Sequence, residues 1–86
     1  MDVLISVDLE GVAGIATKQQ IHPGGHDYPI ARALMTAEAN AAVAGAFDGG
    51  ATSVVVNDSH GPADNLLGEQ LDSTAAPSAK PNSMPW

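Results

Sequence analysis

Two short apolar runs, Val3-Leu4-Ile5-Ser6-Val7 and Thr52-Ser53-Val54-Val55-Val56, flank a longer segment whose apolar positions recur every three or four residues. The first, short, uncharged and with β-branched residues, predicts a strand covered on both faces of a parallel sheet, and the second predicts another strand. The segment from about Ile30 to Phe47 has helical spacing, with a predicted apolar side of Ile30, Leu34, Ala37, Ala41 and Ala44. Asp27 is a suitable N-cap, Pro29 is tolerated in the first turn, and Gly49-Gly50 supplies the stop. Gly11, Gly14 and the stretch Ile21 to Asp27 interrupt regular structure, and a second, shorter helix is predicted from about Ala63 to Leu71. The order strand, helix, strand is that of a right-handed parallel crossover. The fold class is therefore α/β, a parallel βαβ unit. Because sheets of four to six strands are typical, it reads as the N-terminal part of a larger three-layer sheet domain. Residues 1–71 carry this unit, and 72–86, rich in Ser, Ala and Pro without periodicity, read as a low-complexity or truncated tail.

Parallel strands deliver the residues after them to one edge, the carboxyl edge where open α/β sheets bind ligands. Here that edge collects Asp8 and Glu10 after the first strand, and Asp58 and His60 after the second. Two carboxylates two residues apart can converge on one cation, and a carboxylate can bridge two. A solvated pair at a strand end fits the same pattern, and spacing alone leaves both readings open. His60, taken singly, is an ordinary loop histidine; beside Asp8 and Glu10 it becomes a candidate ligand, with Asp58 able to orient the ring or bind metal itself. His22 and His26 are four apart, but Pro23-Gly24-Gly25 between them forbids the helix a zinc-binding pair would need, so they read as surface loop residues. No phosphate-binding glycine pattern and no nucleophile elbow is present, and Ser6, Thr36 and Ser59 are assigned no chemistry.

Ten acidic residues against three basic ones give a formal charge of −7, which argues against nucleic acid and anionic membrane surfaces as partners. With no cysteine, a metal must be held by His, Asp or Glu. No apolar stretch approaches the roughly 20 residues that span a bilayer, and the expected location is the cytoplasm.

Three separated stretches carry a family resemblance: Ser6-Val7-Asp8-Leu9-Glu10-Gly11-Val12-Ala13-Gly14, Arg32 through Ala42, and Val55-Val56-Asn57-Asp58-Ser59-His60. In that order they resemble the start of the DppA-type D-aminopeptidases, a family of zinc metallopeptidases; Lys80 to Met84 is similar to a further family segment. The resemblance implies a site for two zinc ions in which Asp8 bridges and Glu10 and His60 each anchor one ion. Asn57 and Asp58 would support them from behind. It also implies a short peptide substrate and a homo-oligomeric ring. The family's remaining His and Glu ligands and its catalytic His come from later segments without a counterpart among these 86 residues. The resemblance thus implies an incomplete, inactive piece of a longer metallo-aminopeptidase, and no catalytic residue is assigned. A different class of function is a non-catalytic metal-binding or association module that docks on a separately encoded remainder. A phosphatase with Asp8 as nucleophile is disfavoured, because the second Asp, the following Thr and a nearby Lys of that chemistry are missing.

Overall fold

The structure, a computed structural model, describes residues 1–61 and 63–77. Strand β1 (Asp2–Val7) leads through a 3-10 turn (Leu9–Gly11) and a one-turn helix α1 (Lys18–Ile21) into the long helix α2 (Tyr28–Asp48), followed by β2 (Ser53–Asp58) and β3 (Ala76–Pro77). The sheet order is β1-β2-β3, and both pairings are parallel. The α/β class and the parallel βαβ order expected from the sequence are those observed.

The register pairs Asp2 with Ser53 through Val7 with Asp58, so Val3, Ile5 and Val7 share a face with Val54, Val56 and Asp58. That face packs on α2 through Ala39 and Val43, with Phe47, Leu66 and Leu71 at its margin. A second cluster, Leu9, Val12, Tyr28, Ala31 and Met35, lies at the other end of the helix, beneath the loop that leaves β1. Coverage on both faces does not hold for β1. Its residues alternate between half-buried and exposed, and Leu4 is 47% exposed. An apolar run cannot by itself distinguish a central strand from one flanked on one side.

Helix α2 begins two residues earlier and ends one later than predicted, with Asp27 and Gly49 as its caps. Its inward face is not the predicted one. Ile30, Leu34, Ala37, Ala41 and Ala44 are all exposed, while Tyr28, Ala31, Met35, Thr36, Ala39 and Val43 are buried. Alanines lie all round this helix, so alanine spacing does not discriminate between faces. The positions that do are the larger Met35 and Val43 and the polar residues beside them.

Those polar residues also explain why no helix forms over 63–71, where the chain runs in turns. Tyr28, Arg32, Thr36 and Asn40 stand four apart on α2, one above the other. Each bonds the segment returning from β2. The Tyr28 hydroxyl donates to Asn65 Oδ1, Arg32 Nε to the Asn65 carbonyl at 2.9 Å, and Asn40 Nδ2 to the Gln70 carbonyl at 2.8 Å. Thr36 Oγ1 and Asn40 Oδ1 accept from the Leu67 and Asp72 amides at 2.9 and 2.7 Å. Backbone groups that would have closed a helix are thus bound to side chains of α2. Ala63, at φ 59, lies in the left-handed region and blocks a helical start.

The sheet also continues past Leu71, because Ala76 and Pro77 pair with Val55 and Val56. The rest of the chain, including the similarity at Lys80 to Met84, lies outside the described residues. Among the described residues no helix is long and apolar enough to cross a membrane.

Candidate metal centre

At the end of β1 the chain turns at Leu9, whose side chain is fully buried, and this anchor leaves the flanking Asp8 and Glu10 facing outward. Each of these two side chains is more than half exposed. The Ser59 amide donates to the Val7 carbonyl at 2.9 Å, extending the β1–β2 pairing by one bond, and the Ser6 and Ser59 hydroxyls are hydrogen-bonded. The two strand ends therefore leave the sheet side by side, and the next residue on β2's side is His60.

Nδ1 of His60 lies 3.0 Å from Asp8 Oδ1 and 2.9 Å from Glu10 Oε1. Its Nε2 lies 2.7 Å from the Ile21 carbonyl oxygen. A carbonyl only accepts, so Nε2 carries a hydrogen, and in the neutral ring Nδ1 then presents a lone pair. A lone pair facing two carboxylate oxygens at this range is repulsive unless positive charge lies between them. That charge is either a second ring proton or a metal ion. The three groups each offer one ligand atom, all within 4.8 Å of one another. An N,O,O donor set without thiolate suits zinc and other borderline cations.

Acid–base shifts express the same mutual attraction. Burial of His60 works to lower its pKa, but the bond to the Ile21 carbonyl and the carboxylates of Asp8 and Glu10 outweigh it, leaving the ring above its usual value. For Asp8, partial burial works to raise the pKa; hydrogen bonding with Glu10 and His60 and the charge of the ring prevail, and the carboxyl falls below its usual range.

A cleft of about 210 Å³ opens beside Glu10, walled by Ile15, Ala16 and Ile21 with Thr17 and Lys18. Gln20 organises the turn that carries Ala16 and Thr17. Gln20 Oε1 accepts from the Ala16 and Thr17 amides at 2.6 and 2.8 Å, and its Nε2 donates to the Gly14 carbonyl at 2.8 Å.

A family model, the D-aminopeptidases of peptidase family M55, matches residues 1–84. The chain belongs to this family. It is 42% identical over 71 residues to a D-aminopeptidase of Bacillus subtilis (strain 168), covering 83% of this chain and 26% of that protein. A solved structure of the Zn-dependent D-aminopeptidase DppA from Bacillus subtilis, described as a self-compartmentalizing protease, is similar with a TM-score of 0.89 and 39% identity. That match covers 93% of this chain and 29% of the other. The chain thus spans less than a third of the length of either M55 relative.

Other candidate residues of this M55 chain take different places. Asp58 does not join the three-residue cluster; it turns into the loop after β2, where Oδ2 accepts from the Asn65 and Leu66 amides at 2.7 and 2.8 Å. Its Oδ1 accepts from Asn65 Nδ2 at 2.9 Å and from the His60 amide at 3.4 Å. Asn57 is buried and donates to Ser59 Oγ at 2.8 Å, one residue short of the histidine. His22 and His26 lie outside the cluster, as their loop composition suggests. The residues that sequence reasoning missed are Asn65, Tyr28 and Ile21, the last acting through its backbone. The spacing by four of polar residues on α2 was the visible signal for Tyr28; Asn65, in the segment after β2, is marked by no pattern, and a backbone carbonyl leaves no signal in sequence.

Proposed function

We propose that this chain supplies part of the active site of a zinc-dependent aminopeptidase, which removes N-terminal residues of D configuration from short peptides. Asp8, Glu10 and His60 would hold the metal, with Asp8 shared between two zinc ions. The observation that carries this reading is the approach of His60 Nδ1 to both carboxylates while Nε2 is committed to the Ile21 carbonyl. That arrangement fixes the ring in the tautomer that presents a lone pair to a metal.

Zinc bound there would polarise the scissile carbonyl and lower the pKa of water. The chain's own residues do the rest of what can be assigned. The Ile21 carbonyl holds the ring against rotation. The wall of Ile15, Ala16 and Ile21 beside Glu10 offers a small apolar surface to the residue being removed. Three donors do not complete two zinc coordination shells. The remaining ligands and the catalytic base therefore come from beyond these residues, and the 86 residues alone are expected to bind zinc without turning over peptide. Assembly into a homo-oligomeric ring is proposed by analogy with the self-compartmentalizing relative.

A second reading, a binding module that docks on a separately encoded remainder, is favoured by the exposed apolar residues Leu4, Ile30 and Leu34. Calorimetric titration with zinc, comparing wild type with Asp8→Ala and His60→Ala, tests the metal site. Binding that both substitutions abolish is expected; binding that survives both overturns the assignment. Release of N-terminal D-residues on adding the C-terminal remainder of a full-length relative distinguishes enzyme from module.

A further inference from the structure

We infer that Asn65 is a positioning residue for the metal site, acting through His60; the inference rests on the zinc reading above. Asn65 has no solvent exposure, yet its polar groups are engaged on every side. Its amide N–H donates to Asp58 Oδ2 at 2.7 Å, and Nδ2 donates both to Asp58 Oδ1 at 2.9 Å and to the His60 carbonyl. Oδ1 accepts from the Tyr28 hydroxyl, and the carbonyl accepts from Arg32 Nε at 2.9 Å. The orientation of the side-chain amide follows from its neighbours. Reversed, it would set its oxygen against the Asp58 carboxylate and the His60 carbonyl, three acceptors with no hydrogen among them.

The consequence for His60 is that both ends of its backbone are held by one pair. Asp58 receives its N–H and Asn65 reaches its C=O, which also accepts from the Ala63 amide at 2.9 Å. The ring is then fixed at its far nitrogen by Ile21. Three anchors on two segments define where Nδ1 stands relative to Asp8 and Glu10. Asn65 is the one that ties the histidine to α2, through Tyr28 and Arg32. Asn40, two rungs further along the same helix, bonds Gln70 and Asp72 instead, further along the segment that returns from β2 and ten or more residues past His60.

That difference gives the test. Zinc affinity by calorimetry and unfolding midpoint are measured for the 86-residue chain carrying Asn65→Ala or Asn40→Ala. Positioning groups behind a metal ligand typically change affinity by about 10–100-fold. Asn65→Ala is expected to fall in that range and Asn40→Ala to leave affinity unchanged while lowering the midpoint. Equal loss in both, or no loss in Asn65→Ala, overturns the inference. Should Asn65→Ala fail to fold, Tyr28→Phe replaces it, removing only the hydroxyl that holds the Asn65 amide; a few-fold loss of affinity supports the inference and an unchanged affinity overturns it. If wild type binds no zinc, the functional reading fails by itself. The imidazole nitrogen shifts of His60 in the metal-free chain then decide: a tautomer mixture altered by Asn65→Ala or Tyr28→Phe supports positioning, and an unaltered one refutes it.

Discussion

The loops leaving β1 and β2 end at the same edge and are built on opposite plans. After β1, Asp8 and Glu10 stand on a 3-10 turn held by its own backbone bonds and by buried Leu9, and both carboxylates are largely in water. After β2, His60 is only 12% exposed, and the Asp58 carboxylate and the Asn65 amide bind the backbone around it. The difference follows from what each group requires. A carboxylate is expensive to dehydrate and has two oxygens with which to meet a cation, so an exposed, loosely directed position serves it. An imidazole has one usable lone pair in one direction, and only a fixed ring delivers it.

If the plans differ in this way, removal of a side chain should separate binding from stability in the first loop and not in the second. Asp8→Ala is expected to abolish detectable zinc binding while changing unfolding free energy by no more than about 1 kcal/mol, the usual range for exposed charge pairs. Calorimetry and urea denaturation on the same preparations check both halves. A chain that lost several kcal/mol with Asp8 would show that the first loop is as structural as the second.

Asp58→Ala is the counterpart. It deprives the backbone amides of His60, Asn65 and Leu66 of a charged acceptor, and a loss of roughly 3 kcal/mol in urea denaturation is expected, with zinc binding weakened because the His60 loop loosens. Gly25→Ala reaches the His60 ring from its other side. A Cβ there would stand 2.1 Å from the Gln19 carbonyl oxygen, so the 19–25 backbone must shift, at a cost of about 1–3 kcal/mol. That shift moves the Ile21 carbonyl, and the His60 ring should lose its single tautomer by nuclear magnetic resonance. Smallest on the stability scale is Ile30→Gln, expected to change unfolding free energy by less than about 0.5 kcal/mol because Ile30 is 65% exposed. Met35→Ala, from the fully buried side, should cost about 2–5 kcal/mol.

The contrast between Ile30 and Met35 bears on what was legible in the sequence. The strands, the long helix and the arrival of Asp8, Glu10, Asp58 and His60 at one sheet edge could be read from it, because parallel pairing fixes where the chain must leave the sheet; that Asp8, Glu10 and His60 meet while Asp58 turns away could not. The inward face of α2 could not, since alanine is compatible with every side of a helix and its spacing carries little information. The helix expected over 63–71 failed for a related reason. Local propensity was overridden by the Tyr28, Arg32, Thr36 and Asn40 side chains, whose partners lie about 30 or more residues away in sequence. Short β3 was invisible because Ala-Pro has no strand signature, and it forms only because β2 offers it an edge.

Tyr28 allows the second loop to be probed without any substitution, because it is the chain's single tyrosine. Burial raises its pKa above the usual value near 10; the charge of Arg32 works against this, and those of Asp58 and Asp64 reinforce it. In the unfolded chain the phenol titrates normally, so between the unfolded and folded pKa values the native state binds more protons. The contribution of Tyr28 to stability is therefore constant below about pH 10 and is lost as pH rises beyond it. Absorbance of the tyrosinate should show a midpoint above that of the urea-unfolded chain, and urea denaturation should show a declining unfolding free energy over the same interval. Tyrosinate cannot donate to Asn65 Oδ1, so the His60 signals should move with this titration while those of Asn40 do not. A Tyr28 midpoint equal to that of the unfolded chain would mean that the hydroxyl is hydrated, and the contrast between the two loops would then lose its anchor on α2.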